Sequence, residues 1–254
     1  MKIARFLNNE NKELTGILTD SQISEINGVI YSDYDESGTN YEIDKLKILP
    51  PCRPTKIIAV GLNYRDHAEE MKRQPPEDPM LFLKPNTTVI AHKEDIIYPG
   101  HMSSRVDYEG ELAVVIGKEA HMIEETDSEN YIFGYTCIND VTARDLQAKD
   151  IQFTRGKGFN TFAPIGPYIE TEIDPSNLNI QTRLNGEVRQ NSNTSNLIFN
   201  INKLVSFISN VMTLFPGDII ATGTPSGIGP MSPGDKVEVE ISGIGTLTNF
   251  VVTN

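Results

Sequence analysis

Cysteine is scarce in this chain, with only Cys52 and Cys137 among 254 residues. Two cysteines supply neither a disulfide framework nor the paired spacing of a cysteine-based metal site. The sequence also lacks a Gly-x-Ser-x-Gly motif, and neither cysteine has a histidine near it. A mechanism based on a nucleophilic serine or cysteine therefore has no support.

Positive charge and long apolar runs are also lacking. Lys and Arg number 22 against 35 Asp and Glu, which gives a net charge of −13, and the basic residues are scattered. This balance argues against nucleic acid or an anionic membrane as a partner. The first residues lack the apolar core of a signal peptide, and no run is long enough to cross a bilayer. We expect a cytoplasmic protein.

The first fifty residues contain short strand-like runs separated by polar turns, namely Lys2–Leu7, Thr15–Leu18 and Val29–Tyr31. The Leu-Pro-Pro-Cys-Arg-Pro stretch at 49–54 then breaks regular structure. The sequence therefore predicts a small N-terminal α+β or β domain over residues 1–53. A larger domain is expected over residues 54–254.

Strands dominate the larger domain, which makes the predicted fold class mainly β with a few short helices. The predicted strands include Lys56–Val60, Tyr131–Ile138, Ile219–Thr222 and Val237–Ile241. The predicted helices are Tyr64–Lys72, capped by Asn63; Ala143–Lys149, with a capping box from Thr142 to Asp145; and Asn196–Met212.

Three acidic residues lead into an apolar run that is typical of a strand. Because strand side chains alternate, Asp107, Glu109 and Glu111 are expected on one face. Like charges on one face repel and lose hydration, so a cation between them is one explanation. Asp140, just past a predicted strand, supplies a third oxygen ligand beside Glu109 and Glu111, and such ligands suit Mg²⁺ or Mn²⁺. The alternative is a solvated edge strand whose charges oppose aggregation.

His67 and Glu70 lie three residues apart on the helix predicted after Asn63, so they share a face. A carboxylate beside an imidazole orients it and raises its basicity, as a general base requires. The alternative is an exposed helix face, because other charged residues surround the pair. The proline-rich loop at 74–79 is either a mobile lid or an ordinary surface loop.

Further polar candidates occur along the chain. Arg144, Gln147 and Lys157 follow Asp140 closely, and glycines flank Lys157. Lys84 is a lone cation after three apolar residues, so it either reaches solvent or binds an anion. The glycine-rich loop at 222–229 lacks the Gly-Lys-Ser/Thr ending of a phosphate site, and a loop that holds a carboxylate through its hydroxyls fits better.

Five motifs of the larger domain occur together and in order. They are Gly-Leu-Asn-Tyr-Arg-Asp-His (61–67), Leu-Phe-Leu-Lys-Pro (81–85), Asp-Tyr-Glu-Gly-Glu-Leu-Ala-Val-Val-Ile-Gly (107–117), Gly-Tyr-Thr-Cys-Ile-Asn-Asp-Val-Thr-Ala-Arg-Asp-Leu-Gln (134–147) and Ile-Ala-Thr-Gly-Thr-Pro-Ser-Gly (220–227). From about Lys56 onward the chain resembles the fumarylacetoacetate hydrolase family, in its acylpyruvate hydrolase and 2-hydroxyhepta-2,4-diene-1,7-dioate isomerase-like branch. The resemblance implies a mixed β-sandwich roll after a small N-terminal domain, and a homodimer.

The resemblance also implies a role for individual residues. The implied ligands of Mg²⁺ or Mn²⁺ are Glu109, Glu111 and Asp140. The implied catalytic residues are the base pair His67 and Glu70, with Lys157 facing the reacting carbonyl and Gln147 beside it. The implied residues near the acid end of the substrate are Arg144 and Thr224. We group Lys84 with these substrate-binding residues as a cation that binds an anion.

The activity implied is metal-dependent hydrolysis of a carbon–carbon bond in an acylpyruvate, a 2,4-dioxo acid of the kind met in the catabolism of aromatic compounds. His67 would activate water, and a pyruvate enolate would leave. Oxaloacetate decarboxylation and isomerisation of a hydroxymuconate-type dienoate are alternatives that use the same enolate chemistry. A non-catalytic module that binds a metal and a 2-oxo acid is another, which the intact His67–Glu70 pair disfavours.

Overall fold

The computed structural model describes residues 1–253, and the described chain is mainly β with a few short helices, as predicted. The strands are β1 Lys2–Leu7, β2 Glu13–Thr19, β3 Gln22–Gly28, β4 Tyr34–Glu42, β5 Lys47–Leu49, β6 Ile57–Gly61, β7 Met80–Lys84, β8 Val89–Ile90, β9 Asp95–Tyr98, β10 Val106–Tyr108, β11 Gly110–Ile116, β12 Ile132–Asn139, β13 Thr142–Ala143, β14 Ala163–Glu170, β15 Asn179–Leu184, β16 Glu187–Asn193, β17 Ile219–Ala221, β18 Gly229–Met231, β19 Lys236–Ile241 and β20 Gly245–Thr253. The α-helices are α1 Arg65–Glu70, α2 Arg144–Lys149, α3 Thr154–Lys157 and α4 Ile201–Val211. Short 3-10 helices cover Ile43–Lys45, Asn86–Thr88, Glu125–Tyr131, Pro175–Asn177 and Thr194–Asn196.

The strands form three sheets. The largest has the order β4-β3-β2-β1-β14-β12-β11-β17-β6-β7, with β5 beside β1 and β8 beside β14. The second has the order β16-β15-β19-β20-β9, and the third has the order β13-β10-β18. Because β1 pairs with β14, the N-terminal strands extend the sheet of the larger domain. The domain boundary between residues 53 and 54 stays a prediction.

The main core lies between the largest sheet, the second sheet and α4. Its buried residues include Leu112 and Val114 from β11, Val239 and Ile241 from β19, and Leu204 from α4. Side chains of this size contribute roughly 1.5–3 kcal/mol each when fully buried. No helix within residues 1–253 is both long and apolar enough to cross a membrane.

The predicted strand at Val29–Tyr31 is wrong, because this segment forms the turn between β3 and β4. There the Val29 N–H donates to the Asp33 carbonyl at 3.1 Å. The strands β3 and β4 were not predicted because much of their surface is polar; β4 reads Tyr-Asp-Glu-Ser-Gly-Thr-Asn-Tyr-Glu. Backbone pairing holds such a strand without an apolar pattern.

The helix start predicted at Asn196 is also wrong. α4 begins at Ile201, because the side chain of Asn200 accepts a hydrogen bond from the Lys203 N–H at 2.8 Å. The residues before it form a 3-10 helix over Thr194–Asn196. A polar cap therefore starts the helix later than the apolar periodicity alone suggests.

Two predicted helix caps serve other segments instead. Asn63 does not cap α1; its amide donates to the Thr222 carbonyl at 2.7 Å and so holds the loop after β17. Thr142 lies in β13, and its hydroxyl donates to the Asp140 carbonyl at 2.9 Å. Asp145 accepts a hydrogen bond from the Ser103 hydroxyl at 2.6 Å. These contacts join distant segments, which local sequence patterns do not reveal.

Candidate metal centre and cavity

The three predicted metal ligands meet where β10, β11 and β12 adjoin. Glu109 lies between β10 and β11, Glu111 is within β11, and Asp140 follows β12. The pairing of β11 with β12 sets Gly110 opposite Asn139. The Asp140 N–H donates to the Glu109 carbonyl at 2.8 Å, which draws the two segments together. One carboxylate oxygen from each ligand residue lies within 4.8 Å of the other two.

Burial excludes the solvated edge strand. β11 is flanked by β12 and β17, and Glu109, Glu111 and Asp140 are 5 %, 2 % and 1 % exposed. Asp107 does not share their face. It lies in β10 of the third sheet and accepts a hydrogen bond from Arg105 at 2.9 Å. The chain changes sheets at Glu109, and this break interrupts the strand alternation on which the prediction relied.

Three cations compensate two of the carboxylates. Lys157 Nζ donates to Asp140 Oδ2 at 2.6 Å and to Glu109 Oε2 at 2.8 Å. Lys84 Nζ donates to Asp140 Oδ1 at 2.5 Å, and the Arg144 guanidinium donates to Glu109. Burial opposes ionisation of these groups, yet the Lys157 and Arg144 cations hold the pKa of Glu109 below its usual range. Against the same effect of burial, Asp140 and Glu109 raise the pKa of Lys157.

Glu111 has no comparable partner. Its Oε2 accepts a hydrogen bond from the Gly223 N–H at 2.8 Å, and no Lys or Arg within residues 1–253 forms an ion pair with it. Burial, together with the charges of Asp140 and Glu109, raises the pKa of Glu111 well above its ordinary value. An uncompensated buried carboxylate is costly, and a hard divalent cation among the three oxygens would supply the missing charge. The residues therefore fit Mg²⁺ or Mn²⁺.

The glycine loop, residues 222–229, connects this centre to α1. Its Gly223 N–H binds Glu111, and its Gly227 N–H donates to Glu70 Oε1 at 3.0 Å. Gly223 has a φ of +106°, and a Cβ there would lie 2.8 Å from a neighbouring Cβ, so only glycine fits. The loop was predicted to hold a carboxylate through its hydroxyls; instead, its backbone N–H groups bind the protein's own carboxylates, Glu111 and Glu70.

The predicted base pair forms on α1. His67 Nδ1 lies 2.8 Å from Glu70 Oε2, and because an ionised carboxylate only accepts, Nδ1 is the donor in this hydrogen bond. His67 is 7 % exposed, which excludes a freely solvated helix face for this residue. Asp66 anchors the helix start, since its Oδ2 accepts a hydrogen bond from the Ser192 hydroxyl at 2.8 Å.

His67 and the three ligands line one cavity of about 220 Å³. Polar residues on its wall include Arg144, Gln147, Lys157 and Thr224. The apolar part of the wall includes Val60, Met71, Met80, Phe82 and Phe153. The segment after α1 thus contributes Met71, Arg73 and Met80. Arg73 is an exposed cation for which the described chain provides no ion pair.

The other candidates occupy distinct positions. Gln147 Oε1 accepts a hydrogen bond from Arg144 Nη1 at 2.6 Å. Thr224 lines the cavity, but its hydroxyl donates to the Gly110 carbonyl at 2.9 Å. Lys84 corrects the prediction of a substrate contact. It is 1 % exposed, lies behind Asp140 and is not part of the cavity wall, because its apolar strand carries it into the interior.

Several supporting residues were not predicted. Asp66 lies beside the predicted His67, so proximity in sequence was the available signal. Gln190 and Ser192 gave no signal, because their partners Gly110 and Asp66 are 80 and 126 residues away. Contacts between residues so far apart in sequence form only where the folded sheets pack against each other.

Two family models match the chain. The model described as "Fumarylacetoacetate (FAA) hydrolase C-terminal" matches residues 56–252, and the model described as "Rv2993c-like, N-terminal" matches residues 1–51. An oxaloacetate tautomerase of Bacillus subtilis (strain 168), YisK, is 45 % identical over 232 residues, which cover 85 % of this chain and 77 % of that protein.

Solved structures give the same result. A 2-hydroxyhepta-2,4-diene-1,7-dioate isomerase from Mycobacterium marinum is 38 % identical, with a TM-score of 0.92 over 100 % of this chain and 99 % of that one. A maleylpyruvate hydrolase from Sphingobium sp. SYK-6, solved with manganese (II) ion and pyruvate, is 28 % identical, with a TM-score of 0.82 over 100 % of both chains. The predicted fold class and family resemblance are confirmed.

Proposed function

Because the chain belongs to the fumarylacetoacetate hydrolase family, we propose that it is a divalent-metal-dependent enzyme that interconverts the keto and enol forms of a 2-oxo dicarboxylate such as oxaloacetate. One observation carries this proposal. The buried group of Glu109, Glu111 and Asp140 lines the same small cavity as His67, whose Nδ1 is held by Glu70.

Glu109, Glu111 and Asp140 would hold the metal, and the lack of a cationic partner for the buried Glu111 in the described chain supports that assignment. When bound, Mg²⁺ or Mn²⁺ would polarise the 2-oxo carbonyl and lower the energy of the enolate. Lys157, between Glu109 and Asp140 on the cavity wall, would add positive charge beside the enolate oxygen.

His67 would move the proton. With Nδ1–H bound to Glu70, the Nε2 lone pair can take a proton from C3 of the substrate, and Glu70 stabilises the imidazolium that forms. The electron pair of the broken C–H bond forms the C2–C3 double bond, and the C=O π pair moves onto the oxygen. The imidazolium then gives its proton to that oxygen, which yields the enol and a neutral His67. The reverse transfer restores the ketone, so no water is consumed and no carbon–carbon bond breaks.

The charges around the cavity support a substrate with two carboxylates. Lys84 and Lys157 already compensate Asp140, so a divalent cation at Glu111 would leave the cavity positive. Arg73 adds a cation without an ion pair to the wall. A cavity of about 220 Å³ is small beside typical ligand pockets of roughly 300–1,000 Å³, which favours a short acid.

Carbon–carbon hydrolysis of an acylpyruvate is the second candidate. The His67–Glu70 pair is equally suited to activating water, and the maleylpyruvate hydrolase neighbour, solved with manganese and pyruvate, supports this chemistry. The tautomerase relative and the isomerase neighbour are more similar in sequence, and both names describe isomerisations of a four-carbon or seven-carbon diacid. Proton transfer is therefore the better-supported reaction. The homodimer stays a proposal.

A substrate panel tests the proposal. Enol-oxaloacetate, an acylpyruvate and a hydroxymuconate-type dienoate would be followed by ultraviolet absorbance with excess Mg²⁺, and again with excess chelator. We expect metal-dependent ketonisation of the oxaloacetate enol that exceeds turnover of the other two. Acylpyruvate cleavage without ketonisation would favour the hydrolase, and turnover of none would favour a binding module.

A further inference from the structure

Gln190 lies on β16, at the edge of the second sheet, and is completely buried. Its Oε1 accepts a hydrogen bond from the Gly110 N–H at 3.0 Å. Its Nε2 donates to Thr224 Oγ1 and to the Pro225 carbonyl, each at 2.8 Å. A buried primary amide is thus satisfied on both its donor and acceptor sides, by two segments that are distant in sequence.

Each of these two segments carries part of the candidate site. Gly110 separates the ligands Glu109 and Glu111, so the bond to its N–H fixes the backbone between them. A Cβ at Gly110 would lie 3.3 Å from Gln190 Oε1 and still closer to Thr182, so the position has no room for a side chain. The contact therefore depends on the close approach of β11 and β16.

The other segment is the glycine loop, which binds Glu111 through Gly223 and Glu70 through Gly227. Gln190 holds this loop at Thr224 and Pro225, between those two glycines. The loop is therefore the connection between the metal ligands and the base pair, and Gln190 is attached to its middle.

We propose that Gln190 is a positioning residue that sets the metal ligands in register with the His67–Glu70 pair. It touches neither the substrate nor the metal, and it acts through Gly110 and the glycine loop. The inference rests on the proposed function, because it assigns Gln190 to the same site. Loss of its three hydrogen bonds would let the Glu109–Glu111 backbone and the loop shift independently.

The test compares two buried amides of the second sheet. Gln190→Met keeps the approximate volume and removes all three hydrogen bonds. Asn249→Leu is the matched control, because Asn249 is buried in β20 and donates to the Ala91 and Glu94 carbonyls at 2.8 Å, away from the cavity. Mn²⁺ affinity is measured by electron paramagnetic resonance, together with the midpoint of urea unfolding, kcat and KM.

We expect Gln190→Met to weaken Mn²⁺ binding roughly 10- to 100-fold, as loss of supporting contacts around metal ligands does, and to lower kcat more than it raises KM. Asn249→Leu should destabilise the fold but change Mn²⁺ affinity less than about twofold. Gln190→Glu retains the acceptor for Gly110 and loses the donors to the loop, so it should fall between wild type and Gln190→Met. Gln190→Glu also provides the test if Gln190→Met fails to fold.

Equal Mn²⁺ affinity in the wild type and both Gln190 variants would overturn this inference alone, and the proposed function would stand. Equal weakening in Asn249→Leu and Gln190→Met would also overturn it, since general destabilisation would then explain the loss. Absence of Mn²⁺ binding by the wild type would overturn the proposed function and this inference together.

Discussion

At the residue scale, the three carboxylates of the candidate metal centre differ in how many positively charged partners they have. Lys84 and Lys157 pair with Asp140, and Lys157 also pairs with Glu109, whereas Glu111 has only a backbone N–H. Such a site is stable enough to form without a metal, because two carboxylates are neutralised. Among residues 1–253, Glu111 lacks such a partner, and a divalent cation would supply the positive charge that its ionised form needs.

Glu111→Gln should separate stability from metal binding. Because burial and the neighbouring carboxylates disfavour an ionised Glu111, a neutral amide at this position should stabilise the metal-free protein by about 1–3 kcal/mol at a pH where the wild-type carboxyl group is ionised. The added stability that excess Mg²⁺ gives the wild type, about 2.7 kcal/mol at 100 times its Kd, should disappear. Urea unfolding with chelator and with Mg²⁺ measures both effects. Glu25→Gln, at a buried carboxylate far from the cavity, should keep the Mg²⁺ response. Loss of metal-free stability in Glu111→Gln would contradict the prediction.

Arg73 should select the second carboxylate of the substrate. Arg73→Met should raise the KM for oxaloacetate about tenfold, equivalent to about 1.4 kcal/mol, and leave the KM of a monocarboxylic 2-oxo acid nearly unchanged. Lys72→Met removes the same charge one residue away, from a side chain outside the cavity wall, and is the control. Equal KM changes in the two variants would mean that general electrostatics, not a direct contact, attracts the substrate.

At the element scale, α1 has six residues and is too short to be stable alone. Asp66 binds Ser192 at its start, and Glu70 binds Gly227 at its end, so two tertiary contacts hold the helix in place. The carboxylate of Glu70 therefore has two functions, since it also orients His67.

His67→Ala should lower kcat for ketonisation by about 10²–10⁴-fold, the usual range for loss of a general base. Mn²⁺ affinity should hardly change, because His67 is not one of the three carboxylate ligands. Glu70→Gln should give a smaller loss, since an amide can keep one of the two contacts but not the charge. Steady-state rates at saturating Mg²⁺ measure this, with Glu69→Gln on the same helix as control. If kcat were unchanged in His67→Ala, the His67–Glu70 pair of α1 would have no role in catalysis.

The loop between β8 and β9 provides a pH-dependent contact with β20. His92 Nδ1 accepts a hydrogen bond from the Thr248 N–H at 3.1 Å, so this nitrogen must be unprotonated. Burial, with the charge of Lys93, lowers the pKa of His92 from 6.5 to about 4. The unfolded chain therefore binds this proton first, and the stabilisation is complete above pH 6.5 and is lost as pH falls toward 4.

His92→Gln should flatten the dependence of stability on pH in this window. The glutamine keeps an acceptor but has no proton to gain, so the unfolding midpoint should fall less between pH 7 and pH 5 than in the wild type. His121→Gln, at an exposed histidine, is the control. If both variants lose stability on acidification as the wild type does, His92 does not supply the effect.

The strands that sequence patterns predicted well are the apolar ones. The bounds of β1 were predicted fully, and those of β6 and β12 to within one residue, because β-branched and apolar runs need buried sheet positions. The polar strands β3 and β4 were missed, and Asn63 was assigned a local cap although it binds a distant loop. Local signals do not identify partners that only the folded sheets bring together.

At the scale of the whole molecule, the three sheets come together at the segment that carries Glu109 and Glu111. The largest sheet supplies Glu111 from β11, the junction with the third sheet supplies Glu109, and the second sheet supplies Gln190. The family motifs were sufficient to propose the ligands and the base. Gln190 could not be found in that way, because its partner Gly110 is 80 residues away and lies in another sheet.

The cavity gathers three cations and three carboxylates within a chain of strongly negative net charge. The chain carries a net charge of −13, whereas in the cavity Arg73, Arg144 and Lys157 offset the three carboxylates of the metal ligands. With a divalent cation bound, the cavity would be positive, and the proposed dianionic substrate would be drawn to this small region of an otherwise acidic molecule. This attraction depends on the bound cation, which makes the metal the central element of the proposed function.

Titration of the chelator-treated protein with Mn²⁺, followed by electron paramagnetic resonance, tests that claim most directly. We predict that the wild type binds a single Mn²⁺ per chain, that Glu109→Gln and Glu111→Gln both lose this site, and that oxalate, a stable mimic of a 2-oxo acid enolate, changes the spectrum of the bound ion only in the wild type. Absence of a stoichiometric site, or binding that survives in both variants, would contradict the claim.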